Sequence, residues 1–64
     1  MNINININTD NDAFQESTND EVASILERLA KKFRRWDEIN IRPGECVYLQ
    51  DSNGNGIGQM EVSK

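Results

Sequence analysis

A chain of 64 residues with seven basic and eleven acidic side chains carries a formal charge of −4, and it holds no His and one Cys. It is one domain at most, and a chain this short buries only roughly 60% of its unfolded surface, which is marginal without a disulfide, a metal or an oligomer. A single Cys excludes an intramolecular disulfide, and one thiol without His excludes the usual tetrahedral zinc set, so self-association or a partner remains as support.

Residues 2 to 8 alternate strictly, with Asn2, Asn4, Asn6 and Asn8 on one parity and Ile3, Ile5 and Ile7 on the other. Period 2 predicts a strand with an apolar face and an amide face. Asn is a poor strand former, so the isoleucines must supply the reason for pairing by burying themselves. The amide row has two readings: the solvated side of a half-buried strand, or a binding strip. Residues 9 to 17 carry turn formers without a period and read as a connection from which Phe14 folds back onto the core.

Thr18 and Glu21 have capping-box spacing, with Asp20 and Glu21 where the helix dipole favours negative charge, and this predicts a helix over 19 to 36. Val22, Ile25, Leu26, Leu29, Ala30, Phe33 and Trp36 make its apolar stripe. Leu26 lies in mid-stripe, and its truncation to Ala is expected to cost ~2–5 kcal/mol and to unfold the chain. Lys31, Lys32, Arg34 and Arg35 crowd the last turns around Phe33 and Trp36. Cations with aromatics suit nucleic acid, but cations also suit a helix C-terminus, and both aromatics belong to the stripe. With the whole chain acidic, direct nucleic-acid binding is disfavoured. The separation of basic helix from acidic connections suits a protein partner instead.

Pro43-Gly44 fits the centre of a type II turn. Residues 46 to 62 then read as a hairpin about Asn53-Gly54, in which paired residue numbers sum to 107. That register puts Val47, Leu49, Met60 and Val62 on one face. The other carries Cys46, Tyr48, Gln50, Ile57, Gln59 and Glu61. Asp51-x-Asn53-x-Asn55-Gly56 matches the opening of a calcium loop, but the twelfth position is Val62 rather than Glu and the flanking residues read as strand. No His, no paired nucleophile and base, and no phosphate loop argue against an enzyme, and Cys46 reads as a strand residue rather than a nucleophile. No metal or cofactor is expected.

A strand, a helix and a hairpin give an α+β fold of β-α-β-β type over residues 1 to 64. Its antiparallel sheet has the order 1-3-2, and the helix packs on one face over Ile3, Ile5, Ile7, Val47, Leu49, Met60 and Val62. The opposite face and the outer edges stay open, and pairing with another copy or with a partner's strand would close them. No run reaches the ~20 apolar residues of a membrane helix and no secretory signal is visible, so the expected place is the cytoplasm.

The pattern Ile-x-Ile-x-Thr9-Asp10-Asn11-x-Ala13-Phe14, with Glu21-Val22-Ala23-x-Ile25-Leu26-x-Arg28-Leu29-Ala30, Leu49-x-Asp51-Ser52-Asn53-Gly54-Asn55 and Gly58, resembles small proteins encoded by phages and prophages. The resemblance implies the β-α-β-β fold. It also implies action inside the host cell, because many such proteins bind and block a host defence protein, as anti-CRISPR proteins do. An alternative of another class is a small dimeric structural or assembly accessory. An inhibitor of a nucleic-acid-handling enzyme would present acidic groups to a basic groove. Asp10, Asp12, Glu16, Asp37, Glu38, Glu45, Asp51 and Glu61 supply such groups, and Tyr48 and Ile57 would supply an apolar anchor beside Glu61 and Gln59. Tyr48, Ile57, Glu61, Asp51 and Gln59 are thus the expected partner-binding residues.

Overall fold

The structure, a computed structural model, describes residues 1–35 and 41–64. Trp36, the expected end of the helix there, and the acidic Asp37 and Glu38 lie outside the described residues. Along the chain run β1 (Asn2–Ile7), a 3-10 turn (Asp12–Phe14), α1 (Thr18–Arg34), β2 (Cys46–Gln50) and β3 (Gly56–Ser63). The sheet is antiparallel with β3 in the middle, in the order β1-β3-β2 that the alternation and hairpin signals imply.

α1 starts at Thr18, but its cap is not the expected box. Ser17 Oγ accepts from the Asp20 amide at 3.4 Å. Thr18 Oγ1 donates to the Phe14 carbonyl at 2.9 Å. Glu21, free of the cap, reaches the other end of the chain and accepts from Ser52 N–H at 2.9 Å and Ser52 Oγ at 3.0 Å. Two tertiary donors displace the single local one that a capping box would offer.

Before β2, Glu45 N–H donates to Arg42 O at 3.1 Å with Gly44 at φ +95°, the geometry that Pro43-Gly44 dictates. Val47 pairs with Met60 and Leu49 with Gly58, as the number sum requires. The tip of the hairpin differs from expectation. A two-residue Asn-Gly loop needs positive φ at both residues, and only Gly54 has it, at +84°. The chain instead makes a type I turn with Asp at its first position and Gly at its fourth: Gly54 N–H donates to Asp51 O at 3.0 Å, and Asp51 N–H to Asn55 O at 2.9 Å. This longer loop shifts the register between Leu49 and Gln50, so that Gln50 pairs with Gly56 and Ile57 becomes the extra residue of a bulge.

The bulge corrects the placement of Ile57. Strict alternation assigns it to the outer face, whereas the extra residue turns it inward, and only 4% of it is exposed. It joins Phe14, Ile25, Leu29, Leu49, Met60 and Val62 in the core, with Ile7, Ala13, Val22, Phe33 and Val47 packed around them. Beside the bulge, the backbone of β1 comes so close to Gly58 that a Cβ there would lie 1.8 Å from Asn6 O. Only glycine admits that approach.

The helix covers less of the sheet than its stripe suggests. Arg28 Nη2 donates to Gln50 O at 2.8 Å and Glu21 holds Ser52, which draws α1 toward β2 and the hairpin tip. A helix about 10 Å wide covers roughly two of three strands spaced about 4.8 Å apart. Ile3 and Ile5 therefore stay 45% exposed, and Leu26, which helical geometry puts on the flank away from Arg28, is 41% exposed. Leu26 is not the anchor that mid-stripe position implied; Ile25 and Leu29 are. In chemical denaturation, Leu29→Ala should cost ~2–5 kcal/mol and Leu26→Ala well under half as much. Gly58→Ala should match or exceed the cost of Leu29→Ala, because its clash is with backbone that cannot rotate away.

Candidate partner-binding face

With α1 on one side, the other side of the sheet is a surface built in rows across the strands. Asn4, Glu61 and Cys46 form one row, and Asn6, Gln59 and Tyr48 the next. Each strand contributes through period 2, which sends the Asn parity of β1 outward with the odd-numbered residues of β3. Tyr48 is 75% exposed. Gln59 is half-buried between its neighbours, where its Nε2 donates to Glu61 Oε1 and its Oε1 lies 3.9 Å from Cys46 Sγ. A shallow depression of about 390 Å³ lies between Asn6, Asn8, Asn11 and Gln59 at the bulge, and another of about 400 Å³ continues past Asn4 to Glu61. Apart from the Tyr48 ring, the Cys46 thiol and the Ser63 hydroxyl at its end, the face is made of amides and one carboxylate.

Three of the five expected binding residues, Tyr48, Gln59 and Glu61, share this face. Ile57 does not, being in the core. Asp51 does not either: it is 1% exposed and wrapped by its own turn. Oδ1 accepts from the N–H groups of Asn53 and Asn55, each at 2.9 Å. Oδ2 accepts from Asn11 Nδ2 at 3.1 Å and Asn55 Nδ2 at 3.5 Å. Burial by itself pushes this carboxyl up, but the donors from Asn55, Asn11 and Asn53 outweigh it and hold the group below its ordinary value of 3.8.

Neither Asn11 as a tertiary donor nor Glu21 as a clamp has a local signal in the sequence. Asp51 at the first position of an Asp-Ser-Asn-Gly run was a usable signal for the wrapped turn. The basic side chains Lys31, Lys32 and Arg34 are exposed on the helix, in the layer opposite the amide face. Among the described residues no cluster of three or more His, Cys, Asp or Glu could hold a metal ion, and no helix is long and apolar enough to cross a membrane. No protein-family model, curated protein or solved structure matches the chain.

Two outcomes follow from the Asp51 geometry. A carboxyl held below its ordinary value stabilises the fold fully above that value and loses its contribution as pH falls through the lowered one. Acid titration followed by circular dichroism should therefore show unfolding below about pH 4 that is shallower in Asp51→Asn, which is less stable at neutral pH and has no such proton to gain. Because both oxygens are already taken by N–H donors, calcium titration by calorimetry should give no heat at micromolar concentrations. Tight binding would contradict that assignment.

Proposed function

We propose that the chain is a non-catalytic binding protein that presses the amide face of its sheet against a host defence protein and blocks it. The observation that carries the reading is the composition of that face. Exposed Tyr48 stands beside Gln59 and Glu61 on an antiparallel sheet, an aromatic anchor with polar neighbours of the kind that concentrates binding energy. Glu61, Glu45 and the acidic connections add the negative charge that a nucleic-acid-handling target would attract through its basic groove. The resemblance to small phage proteins supports the same class of target.

The test is biological and structural at once. Expressed in bacteria with an active CRISPR defence, the chain should restore plating of a targeted phage by at least tenfold, and Tyr48→Ala or Glu61→Lys should remove the effect while leaving helix content unchanged. Restoration that survives both substitutions would clear the amide face of any role. No restoration against any defence system would remove the inhibitor reading and leave an accessory role.

A further inference from the structure

We infer that β1 is a self-pairing edge: two copies join β1 to β1 about a two-fold axis through Ile5, making one six-stranded sheet. The inference is independent of what the amide face binds. Asn8 N–H donates to Ile57 O at 2.7 Å, continuing the ladder between β1 and β3. Alternation then directs the backbone groups of Asn2, Asn4 and Asn6 at β3 and those of Ile3, Ile5 and Ile7 at the open edge. Among the described residues no group pairs with those three isoleucines at that edge.

The opposite edge is occupied. Val62 N–H donates to Glu45 O at 2.9 Å, so on β2 the outward backbone groups belong to Cys46, Tyr48 and Gln50. Arg28 Nη2 takes the Gln50 carbonyl at 2.8 Å. A side chain standing across the edge in this way obstructs a further strand. Among the described residues no side chain bonds the outward backbone groups of β1, and from Asn2 to Asn8 the strand has none of the charges or prolines that ordinarily keep an edge from pairing.

The occupant is identified by the symmetry of the strand. Asn2-Ile3-Asn4-Ile5-Asn6-Ile7-Asn8 reads the same in both directions about Ile5. A two-fold antiparallel partner sets each residue against the one equally far on the other side of the axis, so this symmetry brings Ile only against Ile and Asn only against Asn. Ile5 then exchanges both backbone bonds with Ile5 of the second copy, and Ile3 does so with Ile7. On the amide face Asn4 meets Asn6 and Asn2 meets Asn8, pairs that offer donors and acceptors without net charge. On the helix side the half-exposed Ile5 of each copy abuts Ile5 of the other, and the half-exposed Ile3 abuts Ile7. One contact thus covers the apolar row that a single helix leaves bare.

Sedimentation velocity at tens to hundreds of micromolar should give twice the 7.3 kDa chain mass. Ile5→Pro removes only the outward N–H at the axis and should weaken the dimer at least tenfold, with circular dichroism unchanged. The register is tested by charge: Asn4→Lys with Asn6→Lys should be monomeric, while Asn4→Lys with Asn6→Glu should dimerise, because position 4 meets position 6 across the axis. A monomeric wild type, or equal dimerisation of the two double variants, overturns the proposal. Tyr48→Ala should leave the dimer intact, so loss of partner binding and loss of self-pairing are read separately.

Discussion

The carboxylate of Asp51 is the constraint on which the rest of the arrangement depends. Its two oxygens gather amides from the turn it begins and from Asn11, which belongs to the connection after β1. In a chain with so small a core, a buried carboxylate with four donors fixes geometry more sharply than another apolar contact would. The turn it holds is one residue too long for strict alternation, and the excess is absorbed as the bulge at Ile57. A seventh core side chain and the close approach of β1 at Gly58 both follow from that one bulge.

The same corner receives the helix. Glu21 accepts from Ser52 while Arg28 donates to the carbonyl of Gln50, so α1 is attached to the hairpin through polar bonds at its first turns and middle. The attachment draws the helix toward β2 and leaves the inward row of β1 half exposed. Polar clamps at one corner and bare apolar surface at the opposite edge are thus two aspects of one placement. This division sets the amide face, the helix layer and the β1 edge apart from one another on a domain of this size.

Much of the fold was legible in the sequence because it rests on local period and turn chemistry. The Asn-Ile alternation, the helical stripe, Pro43-Gly44 and the number sum of the hairpin each act over a few residues, and the structure realises the strands, the helix, the strand order and most of the register. Ile57 and Leu26 were misplaced for the same reason. Period assigns a side chain to a face, but a bulge can reverse the face and a shifted helix can leave part of its stripe uncovered. The amide face was legible in Tyr48, Gln59 and Glu61, which keep strict alternation, and illegible in Asp51, whose surroundings come from residue 11 and from the path of its own turn.

The sequence by itself determined which segments are strands and helix and which parity of each is apolar, because side-chain direction in regular structure follows from backbone geometry alone. It also determined that β1 is uncharged and symmetric about Ile5. Tertiary structure decided which end of the helix is fastened to the hairpin, that Glu21 serves Ser52 rather than its own cap, and that among the described residues a side chain guards the edge of β2 and none that of β1. Those outcomes depend on groups far apart in the chain competing for the same donors and acceptors, and no local pattern records which of them wins.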